Sequence, residues 1–237
     1  MINLRMETDK GESGDKKSDS LTMINSVMTI ISHALLIIPV AYIVISYFVH
    51  YNFFSWHPIC MALGVGLLLM EGIFAISGES NLTSRVKRTQ RVTIHWILVT
   101  SGLTLMFIGL IIAVVNKNRL NKPHFATTHA QLGLSAIVIS CVVALVGTAA
   151  LNSRWLYPHV RPVVIKVAHA FGGIAMSVIF VATIINGTYK HSYPGGYVGR
   201  DIIFACYFFG MLLLLFKPIV GAISRSRVIL RPSQPSS

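Results

Sequence analysis

Six stretches of this 237-residue chain are long and apolar enough to cross a bilayer as helices, at roughly 24–49, 56–77, 92–115, 129–151, 163–188 and 201–223. A hydrocarbon core about 30 Å thick needs about 20 helical residues. Backbone N–H and C=O groups find no water there, so only helices and closed barrels can span it. Every run here is of helix length, which excludes a barrel. Charged residues make up 12% of the chain and hydrophobic ones 54%, about half the charged share of a soluble domain. The expected fold is an all-α integral membrane protein of six transmembrane helices, with little length left for a soluble domain.

The polar ends complete the expected organisation: a disordered cytoplasmic tail over 1–22, a six-helix transmembrane domain over 23–223 and a basic cytoplasmic tail over 224–237. The first 22 residues lack the apolar core and small-residue cleavage site of a signal peptide. Orientation follows from the basic residues, which concentrate on the cytoplasmic side of membrane proteins. With six spans both termini share a face. That face holds Arg5, Lys10, Lys16, Lys17, Arg85, Lys87, Arg88, Arg91, Arg154, Arg161, Lys166, Lys217, Arg225, Arg227 and Arg231. The opposite face holds Lys117, Arg119, Lys122, Lys190 and Arg200. Both termini are therefore read as cytoplasmic. The net charge of +12 reports topology, so no nucleic-acid partner is expected. Of two glycosylation sequons, Asn81 falls in a cytoplasmic loop and Asn186 lies close to the membrane. Cys60, Cys141 and Cys206 lie inside apolar runs without CxxC or CxxCH spacing, so they read as small buried hydrophobes.

Four spans carry a histidine near their start: His57, His95, His129 and His169. An ionisable residue inside a span is rare and marks function. Spans two and four enter from the non-cytoplasmic side, spans three and five from the cytoplasm. His57 can therefore face His129 near the outer surface, and His95 can face His169 near the inner one. Two neutral imidazoles approaching one iron from opposite faces of a porphyrin need this arrangement. Glycines near the ligands would give a flat cofactor clearance: Gly133 after His129, Gly172 and Gly173 after His169, and Gly64 and Gly102 two turns after His57 and His95. The two levels are expected about 15–20 Å apart. His33 reads as an unpartnered polar packing contact in the first span. Glu71 is the one carboxylate well inside a span, at about the inner level. It is placed to bond a ligand imidazole, to carry a proton, or to bond neighbouring backbone.

At these residues the chain resembles the cytochrome b-561 family, over roughly residues 25–225. The matching stretches are WHPICM around His57, RVTIHW around His95, HFATTHAQLGL around His129 and KVAHAFGG around His169. The set looks most similar to the domain-containing subgroup of animal transmembrane ascorbate-dependent reductases. The resemblance implies two non-covalent b haems (heme b), one on His57 and His129 and the other on His95 and His169. It also implies transmembrane electron transfer from cytosolic ascorbate to monodehydroascorbate or a ferric chelate. Plant and vesicle members of the family carry a lysine that contacts ascorbate two residues before the third-span histidine; here that position is Thr93. Arg88, Arg91, Arg161 and Lys166 remain at the inner mouth as candidate contacts for an anionic substrate. His124 is a candidate at the outer mouth.

The leading expectation is thus an oxidoreductase, a multi-pass protein of an endomembrane (ER, vesicle or lysosome) or of the plasma membrane, with a homodimer admitted. A haem-bearing membrane subunit serving a partner oxidoreductase is the alternative. A proton-coupled transporter using its histidines as relays is the rival from another class, and it predicts no spectral change for His95→Ala.

Overall fold

The computed structural model describes residues 2–77 and 86–230, and side chains from residue 23 onward with residue 25 excepted. All regular structure among the described residues is helical, and six helices are long and apolar enough to span a membrane. They are α1 (Ile2–Val49), α2, α3 (Arg88–Arg119), α4 (Thr128–Leu151), α5 (Pro162–Thr188) and α6 (Gly196–Leu230). Helix α2 follows a short 3-10 turn at Phe53–Ser55. It is built of an α-helical turn and a half (Trp56–Met61), a π-helical segment (Ala62–Leu69) and a second α-helical piece (Met70–Ser77). Each expected span falls inside one of these helices.

The ends differ from expectation in one respect. The backbone of α1 is helical from Ile2, where a tail without regular structure was expected. Leu4, Met6, Glu7 and Lys10 are good helix formers, and a helix already nucleated in the span need only propagate. The side chains of 1–22 lie outside the described residues. So do Asn81 of the first sequon, Arg85 of the basic loop and the end of the 224–237 tail.

Helices α2 and α3 pack as one antiparallel hairpin and α4 and α5 as another, while α6 lies against α5 and α1 against α6 and α2. Leu36, Val65, Leu69, Met70, Met106, Phe180, Ile203 and Tyr207 fill the interior. Ile111, Leu145 and Phe216 are 61%, 72% and 66% exposed. Such side chains face outward on a membrane helix because lipid tails are as apolar as they are.

Helices α2 and α3 meet backbone against backbone. A Cβ at Gly64 would lie 2.7 Å from the Gly102 carbonyl oxygen, and a Cβ at Gly102 would lie 2.7 Å from the Gly64 carbonyl oxygen. Only paired glycines let the two backbones meet. These residues serve helix contact, not cofactor clearance, which corrects the expectation for both.

Candidate functional site: two crossed histidine pairs

The bundle brings the four span histidines together as two pairs. The rings of His57 and His129 have centroids 6.2 Å apart with planes crossed at 89°. Those of His95 and His169 repeat the geometry, 6.2 Å and 89°. Two metal–nitrogen bonds of about 2 Å, with about 1 Å from each nitrogen to its ring centre, require a separation of about 6 Å. Both pairs have the spacing that a shared iron would need.

The hydrogen bonds of the rings select the ligand atom. The Nδ1–H of His57 donates to the Gly109 carbonyl at 2.9 Å, and that of His95 to the Gly72 carbonyl at 2.7 Å. His129 donates to Thr183 O at 3.0 Å and His169 to Val143 O at 3.1 Å. A carbonyl only accepts, so each Nδ1 carries the proton and each Nε2 keeps its lone pair. Metal-bound histidines typically donate their other ring N–H to a second-shell acceptor in this way, which fixes tautomer and ring orientation.

The acceptors follow a rule written along the helices. In α3, Gly109 lies 14 residues after His95; in α4, Val143 lies 14 after His129; in α5, Thr183 lies 14 after His169. Fourteen residues are nearly four turns, about 21 Å of rise. Each helix therefore offers an imidazole at one level and a carbonyl on nearly the same side at the other. In α2 the interval from His57 to Gly72 is 15. The π-helical segment at Ala62–Leu69 lies between them, and a π-bulge absorbs one extra residue. The spacing of the carbonyls was a readable signal, but backbone acceptors leave no residue-type signature.

Glycines clear the rings. A Cβ at Gly147 would come 2.7 Å from His169 Cε1, and one at Gly187 would come 3.1 Å from His129 Cε1. These two positions were not singled out from the sequence. Of those that were, Gly173 meets nothing within 4 Å and Gly133 meets only the Thr183 methyl at 3.5 Å. Gly172 instead packs on Val143, where a Cβ would lie 2.8 Å from Cγ2. Gly147→Ala should push the His169 ring off its acceptor. For a haem held by the inner pair, affinity should fall about 10–100-fold, with the outer pair unaffected. Haem titration of the apoprotein, followed by absorbance, measures it.

The outer pair opens into a cavity of about 710 Å³ that reaches the end of the bundle carrying the α1–α2, α3–α4 and α5–α6 connections, lined by His57, His129 and Gly133. Phe54 stacks on His57 with centroids 5.1 Å apart. Lys117, Lys122, Lys190 and His124 line the same cavity. His124 Nε2 lies 2.8 Å from Asn118 Oδ1, so this candidate is tied to the end of α3 while still facing the cavity. Lys117 and Lys190 were counted for topology and not proposed as contacts. At the inner mouth, Arg88 opens α3 and is exposed. Arg161 is the exposed N-cap of α5. Lys166 is half-buried, three residues before His169. Arg91 is half-buried one turn before His95, and its Nε has no hydrogen-bond partner among the described residues. The three cysteines are free thiols.

Two residues differ from their sequence readings. Glu71 does not bond a ligand imidazole. Its Oε1 lies 2.8 Å from Nδ1 of His33, so His33 is not unpartnered either. The sequence hid the contact because it joins different spans 38 residues apart.

Two histidine pairs of one repeated geometry, set between helices of a six-span bundle, define a membrane protein with two candidate bis-imidazole sites. The family profile described as eukaryotic cytochrome b561 matches residues 56–194, and the chain belongs to that family. It is 30% identical over 136 residues to the human (Homo sapiens) transmembrane reductase CYB561D2, covering 57% of this chain and 61% of the relative. It is 23% identical over 195 residues to the mouse (Mus musculus) plasma membrane ascorbate-dependent reductase CYBRD1, covering 78% of this chain and 64% of the relative. The chain thus spans somewhat less than two thirds of the length of these relatives. No solved structure matches. Family and fold together make this a multi-pass membrane protein of the cytochrome b561 family, for which haem b is the implied cofactor.

Proposed function

We propose that the chain binds two b haems, one on His57 and His129 and one on His95 and His169, and moves single electrons across the bilayer from cytosolic ascorbate to monodehydroascorbate or a ferric chelate. The observation that carries this reading is the repetition of one crossed imidazole geometry, 6.2 Å and 89°, at two levels. The haems supply the one-electron chemistry; the protein supplies ligation, spacing and the two mouths. The levels lie about 21 Å apart along α3, and porphyrin edges lie closer than that.

The mouths suit anions. Ascorbate is a monoanion at neutral pH, and clustered cations raise its local concentration. Arg88, Arg91, Arg161 and Lys166 would serve at the inner mouth. Arg91 is the best placed, with a buried Nε that lacks a partner among the described residues and a position on the His95 face. Thr93 is exposed and donates to its own helix at Thr89 O; a lysine in its place is not required if Arg91 contacts the substrate. Outside, Lys117, Lys122, Lys190 and His124 line the cavity of the outer pair, which fits an anionic acceptor. The segment 23–223 would be the working unit, with short tails on the cytoplasmic face.

Proteoliposomes loaded with ascorbate test the proposal. Ferric citrate or monodehydroascorbate added outside should be reduced in vesicles that contain the protein and not in empty ones. Reduction that needs a second polypeptide would overturn it in favour of a subunit role. The Lys117→Gln, Lys122→Gln, Lys190→Gln triple variant should lower the second-order rate with ferric citrate about tenfold at low ionic strength. The difference should shrink at high salt, where the Debye length is about 3 Å.

A further inference from the structure

Helix α1 carries a polar stripe. Ser26, Thr29 and His33 stand at i, i+3 and i+7 and so share one side of the helix, leading inward from the cytoplasmic end. Thr29 is buried. At the deep end, His33 meets Glu71 of α2 at 2.8 Å, and the two side chains are only 23% and 19% exposed. Ionisable pairs at such depth are costly and mark proton or ion chemistry. Glu71 immediately precedes Gly72, whose carbonyl holds the inner ligand His95. The outer level has no counterpart among the described residues: Asp201 is 73% exposed and paired with Arg200.

The 2.8 Å contact is compatible with an imidazole N–H donating to an ionised carboxylate. With Nδ1–H donating to the carboxylate, His33 Nε2 keeps a lone pair, and this buried atom has no partner among the described residues. The pair is then a single negative charge with a vacant proton seat. Its surroundings are apolar: Ile30 and Ile37 of α1, Leu67 of α2 and Leu98 of α3, with the Phe74 ring 5.0 Å from the imidazole. The charged or titratable groups of the packed helices on this half are Arg88, Arg91 and His95 on α3 and Lys217, Arg225 and Arg227 on α6. In so weakly polar a setting an electron arriving nearby is felt strongly.

We infer that the His33–Glu71 pair is the redox-linked proton acceptor of the inner haem, binding one proton at His33 when that haem is reduced and releasing it when the electron moves on. The inference rests on the two-haem reading. Ascorbate monoanion gives up one electron and one proton to become its radical anion. The electron reduces the inner iron from ferric to ferrous, and a proton from the cytoplasmic side reaches Nε2 along the hydroxyl stripe. When the outer haem takes the electron, the proton returns the same way, so none crosses the membrane. His33 and Glu71 are positioning residues that act on the inner haem through charge.

Spectroelectrochemical titration of the purified holoprotein between about pH 5.5 and 8.5 tests this, with the inner haem assigned as the component lost in His95→Ala. Protons bound on reduction favour reduction at low pH. The inner potential should therefore fall as pH rises, approaching 59 mV per pH unit for one proton per electron, with a shallower outer slope. Glu71→Gln and His33→Gln should each keep both haems and flatten the inner slope. An inner potential independent of pH in the unmodified protein overturns the inference by itself, as does a slope that survives both substitutions, such as one from haem propionates. A purified chain with haem at neither pair would instead overturn the two-haem reading.

Discussion

With His95 or His169 replaced by alanine, the purified protein should carry about one haem per chain instead of the proposed two, and ascorbate should no longer drive transmembrane reduction above the rate of empty vesicles. Each substitution removes one of two imidazoles facing each other at 6.2 Å, and nothing else on that helix face can take its place. The partner keeps its Nδ1 bond, Gly72 for His95 or Val143 for His169, so the loss stays at one level. His57→Ala and His129→Ala should give the complementary result: an inner haem still reduced by ascorbate, with delivery to an outside acceptor stopped. The readouts are pyridine haemochrome content, the reduced spectrum and the vesicle assay. Fast ascorbate reduction of the haem that remains in His95→Ala would reverse the orientation argued from the basic residues.

The second large effect lies away from any ligand. Gly64→Leu should lower haem content at both levels together and destabilise the bundle by about 1–3 kcal/mol or more. A Cβ there would stand 2.7 Å from the Gly102 carbonyl oxygen and 2.8 Å from Leu105 Cβ, and backbone cannot swing aside as a side-chain tip can. Pushing α2 from α3 stretches the His57–Gly109 and His95–Gly72 bonds at once. Haem content and thermal unfolding of the solubilised protein measure the two parts.

The pairing of histidines was legible because it needs only parity. Alternate spans run in opposite directions, so a residue near the start of each must fall at one of two depths. The six helices were legible for a similar reason, since length and apolarity alone decide who can cross. What stayed hidden depends on backbone. The carbonyls of Gly72, Gly109, Val143 and Thr183 accept from the ligands regardless of side chain, so their residue types carry no mark. The π-helical stretch of α2 reads as any other apolar run, and its presence is betrayed only by an interval of 15 where the other helices use 14. His33 and Glu71 each looked solitary because their contact crosses two spans, and spacing within one segment cannot predict it. Gly64 and Gly102 were correctly placed on the ligand side of their helices, yet that side also faces the neighbouring backbone, and the neighbour took the space.

The reciprocity of the four carbonyls bears on assembly. Outer ligands come from α2 and α4, and those same two helices supply Gly72 and Val143 to the inner imidazoles. Inner ligands come from α3 and α5, which return Gly109 and Thr183 to the outer ones. A group clamped at either level would therefore hold the two helices whose carbonyls orient the other level's rings.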